Sequence, residues 1–165
     1  KNFPKFSFKK EKVLIIGSGG ASRAVASVFL KEKVSEIRIV NRDYNKAKNL
    51  RDEFSSNIKV YEWSNITDSL QGVTTVINTT SLGTYGYEKF HISLKGVKEG
   101  GIAIDLVYNP LKTSFIKQAE KENLRTINGL DMLIFQAKIG FENWFLQKPS
   151  YTFELKKMLE NSIKS

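Results

Sequence analysis

The chain has 165 residues, which is enough for one domain with a hydrophobic core and too few for two ordinary domains. Its content of 41% hydrophobic and 26% charged residues is typical of a globular protein, and no apolar run approaches the roughly 18 residues that a membrane span needs. Because there is no cysteine, disulfides and thiolate metal sites are excluded, and we expect no bound metal. The absence of cysteine is compatible with a reducing compartment, and we take the cytoplasm as the location.

The net charge of +9 raises the question of nucleic-acid binding. Residues 1–12 carry five lysines against one glutamate, and residues 148–165 carry four lysines against two glutamates, so two thirds of the net charge lies at the ends. A groove for a phosphate backbone needs clustered basic residues with interleaved aromatic side chains, and the body of the chain has no such stripe. We therefore expect neither a nucleic-acid partner nor a membrane partner.

The first half of the chain alternates strands with helices. Residues 12–16 form a nearly continuous apolar run, which is typical of a strand covered by helices on both faces. Residues 20–33 follow as a helix with an apolar stripe made of Ala21, Ala24, Val25, Val28 and Phe29. We then predict a second strand at 36–40, a helix at 45–54, a third strand at 58–61, a helical turn at 66–70 and a fourth strand at 74–78.

The second half continues the alternation and ends in helices. We predict a fifth strand at 101–107, a helix at 111–122 and a sixth strand at 125–127. A closing helix carries apolar residues at three- and four-residue steps from Leu130 to Phe145, and after Pro149 a helical pattern resumes over 151–163. Such alternation predicts an α/β fold of the Rossmann type: a doubly wound parallel sheet of about six strands, with helices on both faces and additional C-terminal helices.

A glycine-rich turn joins the first strand to the first helix and consists of Gly17, Ser18, Gly19, Gly20, Ala21 and Ser22. Gly17 permits a tight turn, Gly19 lets the backbone approach a diphosphate without a Cβ, and Ser22 is small enough for close packing of helix on strand. The amides and the dipole at the start of the helix favour an anion. The alternative is a plain flexible turn, but a strand before it and a helix after it favour dinucleotide binding.

The end of the second strand discriminates between the two nicotinamide cofactors. NAD-binding domains usually place an acidic residue there to bind the ribose 2′-hydroxyl, whereas this chain has Asn41 and Arg42, with Lys46 shortly after. An amide and two cations suit a 2′-phosphate, so we predict NADP (NADPH) as the cofactor and regard NAD as the less favoured one. Asp43 places a negative charge beside this site, and a solvated basic loop remains the alternative.

Five motifs in this order resemble shikimate dehydrogenase over about residues 10–146: those at 17–24, at 40–42 with Lys46-Ala47, at 77–83, at 105–113 and at 128–137. That family reduces 3-dehydroshikimate to shikimate with NADPH in aromatic amino-acid biosynthesis. The resemblance implies three domain segments: a linker remnant at 1–11, the dinucleotide-binding domain at 12–147 and a C-terminal helix at 148–165.

The resemblance also implies roles for further residues. Leu106 and Gly129 would offer backbone carbonyls to the nicotinamide amide, and Met132 would pack on its ring or simply join the core. Tyr108 would reach the substrate or else anchor a turn. Gln136 would also reach the substrate, because a polar residue near an apolar helix face needs a partner. Asp131 stands where the family usually has glycine, and His91 matches no motif, so we place it on the surface. The wall along the adenosine and ribose would be Thr79, Thr80, Ser81 and Leu82.

The family's catalytic Lys and Asp belong to a substrate domain that precedes these motifs, and we find no match for them here. We therefore expect the cofactor half of a two-domain enzyme that binds NADPH without appreciable turnover, with shikimate or 3-dehydroshikimate bound together with the other domain. The alternatives are a non-catalytic nucleotide-sensing module and a quinate- or shikimate-type dehydrogenase that uses NAD. Apolar residues of the closing helices, from Phe141 to Phe153, would then stay uncovered and offer a surface for self-association.

Overall fold

The structure is a computed structural model that describes residues 8–54 and 58–163. Its centre is a six-stranded, fully parallel sheet with the order β3-β2-β1-β4-β5-β6. The predicted doubly wound fold is confirmed, because the order reverses between β1 and β4. The strands are β1 (Lys12–Ile16), β2 (Glu36–Asn41), β3 (Ile58–Glu62), β4 (Thr75–Asn78), β5 (Ile102–Asp105) and β6 (Arg125–Ile127).

Helices cover both faces of this sheet. Ala26 and Phe29 of one helix and Leu50 of the next pack on one face, whereas Phe115 and Ala119 pack on the other. After the exposed Lys12, both faces of β1 are fully buried between these layers, which explains the unbroken apolar run from Val13 to Ile16. The helices are α1 (Gly20–Lys31), α2 (Tyr44–Phe54), α3 (Ile66–Ser69), α4 (Ser114–Lys121), α5 (Leu130–Phe145) and α6 (Phe153–Ser162); short 3₁₀ turns lie at Phe8–Lys10 and Trp63–Asn65.

One predicted packing surface is only partly correct. Of the stripe assigned to α1, Phe29 is buried and Val25 packs against the core, but Ala21, Ala24 and Val28 are exposed. The buried face is instead Ser22, Ala26 and Phe29, at steps of four and three residues. Small neighbours such as alanine and glycine made the buried face of this short helix ambiguous, and the small Ser22 is fully buried on it.

Two predicted boundaries near β5 are also corrected. The strand ends at Asp105 and not at residue 107, because the amide of Val107 donates a hydrogen bond to Asp105 Oδ1 and leaves the ladder. The following helix begins at Ser114 and not at residue 111, because Thr113 Oγ1 accepts from the amide of Ile116 and caps it. β1, β6 and α5 have the predicted bounds, and the remaining strands and helices differ from prediction by one or two residues at an end.

The C-terminal helices are only partly integrated into the core. Within α5, Leu130 and Ile134 are buried, whereas Phe141 is 39% and Trp144 80% exposed. Residues 1–7 of the predicted linker and residues 164–165 of the predicted C-terminal helix lie outside the described residues. No helix in the described part of the chain combines the length and the apolar character that crossing a membrane requires.

Candidate functional site

The carboxyl ends of the parallel strands share one edge of the sheet, and two open clefts lie along it. The first, of about 400 Å³, runs from the end of β2 across the turn after β1 to the residues after β4, with Trp63 at its rim. The second, of about 370 Å³, lies between the residues that follow β4 and those that follow β5. Both share Thr79, Thr80 and Ser81 as a common wall. Ligands of doubly wound sheets bind at this edge, where the strand order reverses.

Gly17 is required by the fold itself. Its φ of +112° lies in a region that side chains rarely adopt, and a Cβ there would lie 2.7 Å from Thr79 Oγ1. The amide of Gly17 donates to the carbonyl of Val40 at 2.8 Å, which fixes the exit of the chain from β1. The tight turn predicted at this position is therefore present, and its packing against the wall of the first cleft is close.

Gly19 and Gly20 differ, because no contact of the protein requires a glycine at either position. A Cβ on either residue would have no heavy atom within 4 Å, and the φ of Gly19 is −88°, which any residue adopts. Gly19 is the N-cap of α1 and has no side chain to cap the first turn, which also contains no acidic residue. By contrast, Thr113 and Thr152 cap α4 and α6. The start of α1 thus offers amides and open space to an anion.

Ser22, the last residue of the predicted turn, lies in the first turn of α1 and faces the protein interior. Its side chain is fully buried, and its Oγ donates to the carbonyl of Gly19 at 2.6 Å. The predicted role in close packing of helix on sheet fits this position. Ser18 lines the first cleft and Ala21 is exposed beside it.

The cations predicted to read a 2′-phosphate lie at the far end of the first cleft. Asn41, Arg42 and Lys46 all line it, and the two cations are exposed. Asp43 has a structural role that the sequence reading did not foresee: its Oδ1 accepts from the amide of Lys46 and caps α2. Each cation also forms a salt bridge with a carboxylate of the same chain: Arg42 lies 3.8 Å from Glu88, and Lys46 lies 3.8 Å from Asp43.

The wall shared by both clefts is held from below. Thr79 donates from its amide and its hydroxyl to the carbonyl of Ile16, which joins the end of β4 to β1. Thr80 donates from its amide and its hydroxyl to Asn78 Oδ1. Ser81 is exposed and Leu82 is buried. All four predicted wall residues therefore line the first cleft, and their backbone is fixed by hydrogen bonds.

The second cleft contains the predicted residues Leu106 and Tyr108, together with Thr84, Val107 and Asn109. Tyr108 lines this cleft and is 41% exposed. Gly129 packs against this segment so closely that a Cβ would lie 2.1 Å from the carbonyl oxygen of Leu106. Its own carbonyl accepts from the amide of Leu133 within the turn that opens α5.

Three residues that the resemblance assigns to ligands line neither cleft: Gly129, Met132 and Gln136. Gly129 packs on Leu106, Met132 is partly buried in the first turns of α5, and Gln136 is exposed one turn further. The reasoning that singled out Gln136 is wrong, because an exposed side chain needs no protein partner. Their roles stay predictions. His91 is exposed, as expected.

Asp131 links the first turn of α5 to α6. It accepts from the hydroxyl of Tyr151 at 2.6 Å and pairs with Lys156 at 2.9 Å. Partial burial acts to raise the pKa of Asp131, but the hydrogen bonds from Tyr151 and Lys156 and the charge of Lys156 outweigh it, so the pKa is lowered. The residue that departs from the family's usual glycine thus fastens the C-terminal helix.

Sequence reasoning missed Trp63, Asn78 and Asp105. Trp63 lines the first cleft, and its ring lies tilted by 30° against that of Phe90, with the centroids 6.1 Å apart. Asn78 and Asp105 are fully buried at the ends of β4 and β5. Burial raises the pKa of Asp105, against the opposing hydrogen bonds from Thr113, Val107 and Asn78. A polar residue that ends an otherwise apolar strand was the available signal, since such a group needs a partner.

Comparison with known proteins gives consistent results. A family model described as shikimate / quinate 5-dehydrogenase matches residues 1–131. Shikimate dehydrogenase (NADP(+)) of Paracoccus denitrificans is 38% identical over 143 residues, covering 87% of this chain and 51% of that protein. A crystal structure of a shikimate dehydrogenase in complex with NADP+ has 32% identity and a TM-score of 0.80, covering 95% of this chain and 56% of that chain.

A quinate dehydrogenase of Corynebacterium glutamicum in complex with NAD shares the fold, with a TM-score of 0.79 and 21% identity over 97% of this chain and 56% of that one. The chain thus spans about half the length of the curated relatives it matches.

Proposed function

The chain belongs to the shikimate / quinate 5-dehydrogenase family, and from that membership we propose that it is the NADP-binding domain of a shikimate dehydrogenase-type oxidoreductase. The observation that carries the proposal is the start of α1, where Gly19 and Gly20 leave uncapped amides facing open space. The fold does not need these glycines, whereas a diphosphate that approaches the backbone does.

The cofactor would lie along the carboxyl edge of the sheet. The turn from Gly17 to Ser22 would hold the diphosphate, and Asn41, Arg42 and Lys46 would hold the 2′-phosphate of NADP. Both cations line the first cleft, and a guanidinium fits a phosphate in two-point geometry. The two clefts share one wall, which permits a single elongated ligand to pass from one to the other. Thr79, Thr80, Ser81 and Leu82 would contact the ligand along this wall.

The second cleft would take the nicotinamide half and the substrate. Leu106 and Gly129 would orient the amide of the ring through their carbonyls, with Met132 beside it. Tyr108, exposed in this cleft, would contact the substrate, as would Gln136. When bound, NADPH supplies the hydride that reduces 3-dehydroshikimate to shikimate, whereas the residues of this chain bind and orient. Among the relatives, NADP is named for the shikimate dehydrogenase of Paracoccus denitrificans and for one solved shikimate dehydrogenase, whereas NAD is named for the solved shikimate 5-dehydrogenase of Listeria monocytogenes.

Turnover needs a proton donor near the developing alkoxide. Among the described residues that line the second cleft, Tyr108 is the single titratable one. We therefore expect this chain alone to bind NADPH and to oxidise shikimate negligibly. A stopped-flow or steady-state assay at saturating NADP+ and shikimate measures this, and robust turnover would contradict the proposal that the acid–base groups lie outside these residues.

Cofactor choice is tested by titrating NADPH and NADH side by side into the chain and into Arg42→Ala. Loss of one charge-assisted phosphate contact costs about 1.5–3 kcal/mol, and because Arg42 is exposed we expect the low end, about tenfold in the Kd for NADPH. The Kd for NADH should hardly change. Arg51→Ala is the matched control, because Arg51 pairs with Asp52 on α2 and does not line either cleft. Equal losses for both cofactors would show that Arg42 does not read the phosphate.

We also propose that exposed aromatic side chains of α5, α6 and the segment between them mediate self-association of the isolated chain. These side chains, with their exposed fractions, are Phe141 (39%), Trp144 (80%), Phe145 (58%), Tyr151 (37%) and Phe153 (75%). Large exposed aromatic surface of this kind favours association. Light scattering over a range of concentrations tests this, and a strict monomer at every concentration would count against it.

A further inference from the structure

Two buried polar side chains pair at the carboxyl ends of β4 and β5. Asn78 and Asp105 are register partners across these strands, and each is 0% exposed. Asn78 Nδ2 donates to Asp105 Oδ1 at 2.9 Å. Neither side chain lines a cleft, so neither contacts a ligand there directly. Buried groups of this kind are strongly destabilising without partners, and here every oxygen and nitrogen of the pair is used.

Asn78 organises the wall that both clefts share. Its Oδ1 accepts from the amide of Thr80 at 3.1 Å and from the hydroxyl of Thr80 at 2.7 Å. Its Nδ2 also donates to the carbonyl of Leu82 at 3.2 Å, and Thr80 Oγ1 in turn accepts from the amide of Leu82. The wall is therefore a turn wound around one buried amide.

Asp105 organises the opposite wall of the second cleft. Its Oδ1 accepts from the amide of Val107 at 3.1 Å, and its Oδ2 accepts from the hydroxyl of Thr113 at 2.5 Å. Thr113 is the N-cap of α4 and packs beneath Gly83, since a Cβ on that glycine would lie 3.4 Å from Thr113 Cβ. One carboxylate thus ties the segment that leads to Tyr108 to the helix behind it and, through Asn78, to the facing wall.

The far end of the first cleft does not depend on this pair. Asn41, Arg42 and Lys46 are held by β2 and by the cap that Asp43 places on α2. The turn at Gly17 is held by the carbonyl of Val40. Loss of Asp105 should therefore act on the second cleft and leave the adenosine end in place, because Asn78 keeps its own hydrogen bonds to Thr80 and Leu82 of the shared wall.

On the basis of the proposed function, we propose that Asn78 and Asp105 are positioning residues: they hold the two walls of the second cleft at the spacing that receives the nicotinamide half of the dinucleotide. They act through Thr80, Leu82 and Val107, and not by contact. The fragment 2′,5′-ADP, which carries only the adenosine end, should then be bound independently of Asp105, whose bonds to Val107 and Thr113 lie on the second cleft's side.

The experiment compares NADPH with 2′,5′-ADP on the chain and on Asp105→Ala by calorimetry. The chain should bind NADPH more tightly than the fragment. In Asp105→Ala we expect the Kd for 2′,5′-ADP to stay within about threefold and the Kd for NADPH to rise by at least about fivefold beyond that. A second readout is the fluorescence of bound NADPH, which rises when the reduced ring is held away from the adenine; this rise should shrink in the variant. The control variant is Ser69→Ala, which removes a buried hydroxyl that lies far from Asp105 in sequence and outside both clefts. It shows how a loss of stability alone affects the two Kd values.

If Asp105→Ala does not fold, Thr113→Val removes the hydroxyl that donates to Asp105 Oδ2 and that also caps α4 by accepting from the amide of Ile116, and Thr113→Ser keeps a hydroxyl for both bonds. The valine variant should show the same selective loss in smaller measure, and the serine variant should match the parent. A folded variant in which NADPH and 2′,5′-ADP weaken equally, or in which neither weakens, overturns the positioning role. Failure of the unaltered chain to bind either ligand would instead overturn the proposed function.

Discussion

Gly17 and Gly19 lie two residues apart in one turn, and we expect their alanine variants to fail in opposite ways. Gly17→Ala forces a side chain into a φ of +112° and places a Cβ 2.7 Å from Thr79 Oγ1 and 3.0 Å from Thr80 Cγ2. The backbone strain alone costs about 1–3 kcal/mol, and relief of the contact with the wall adds to it, so we expect a loss of about 2–4 kcal/mol of folding free energy.

Gly19→Ala should leave stability nearly unchanged. Its φ of −88° suits alanine, and the added Cβ meets no protein atom within 4 Å. Alanine restricts the unfolded chain, which stabilises by about 0.4–1 kcal/mol, and it is a poorer N-cap than glycine by a comparable amount, so the two effects nearly cancel. The methyl group nevertheless occupies the space through which a diphosphate would approach the amides, and we expect NADPH binding to weaken by at least about tenfold.

Urea unfolding followed by circular dichroism gives the stability of both variants, and calorimetric titration with NADPH gives the affinity. A Gly19→Ala protein with unchanged stability and unchanged affinity would refute the reasoning, because the open space at the start of α1 would then not be a ligand site. A Gly17→Ala protein as stable as the parent would show that the tight contact with Thr79 relaxes without cost.

Three further predictions concern charges. Glu88→Gln removes the carboxylate that lies 3.8 Å from Arg42, so the Kd for NADPH should fall by about twofold to fivefold at low salt and the Kd for NADH should not. Calorimetry in low and high salt measures this. An unchanged Kd for NADPH at low salt would mean that Glu88 does not compete with the phosphate for Arg42. Because the pKa of Asp131 is lowered, this residue stabilises the fold at pH values above its unfolded-state pKa, and the stabilisation is lost as the pH falls through its folded-state pKa. In urea unfolding, the difference in stability between the parent and Asp131→Asn should therefore close on acidification. A difference that stays constant would contradict this. The raised pKa of Asp105 has the opposite effect. The contribution of Asp105 to the free energy of unfolding should decline as the pH rises through the pKa of the folded state. If the free energy of unfolding of the parent gained on that of Asp105→Asn as the pH rose, this expectation would be excluded.

Hydrophobic periodicity was sufficient to place most of the strands and helices. The buried strand at Lys12–Ile16 and the sixth strand at Arg125–Ile127 have the predicted bounds, because unbroken apolar or β-branched runs between turn residues leave few alternatives. The register of α1 was not predictable, since a helix rich in alanine, serine and glycine presents no dominant apolar face. Local caps such as Thr113, and not propensity, set the ends that differed.

The site was partly predictable for a related reason. Residues that follow a strand directly, such as Arg42 and Thr79, fall on the ligand edge of a parallel sheet by topology alone. The partners of these residues come from distant segments: Glu88 reaches Arg42, and Asp105 reaches Asn78 and Thr113. Such pairings depend on tertiary contacts that spacing along the chain does not encode. Gln136 shows the converse, because a helical pattern indicated burial and the incomplete packing of α5 leaves it exposed.

The shape of the edge also favours one extended ligand over two small ones. From the end of β2 to the end of β5 it crosses three strand spacings, about 14 Å. Cations lie at one end of this path, uncapped amides near its middle, and an exposed phenol with backbone carbonyls at the other. A mononucleotide would use only the first two groups and would leave the second cleft without a role. A dinucleotide uses all three in the order in which its 2′-phosphate, diphosphate and nicotinamide are joined, so the affinity difference between NADPH and 2′,5′-ADP is the measurement that separates these two ligands.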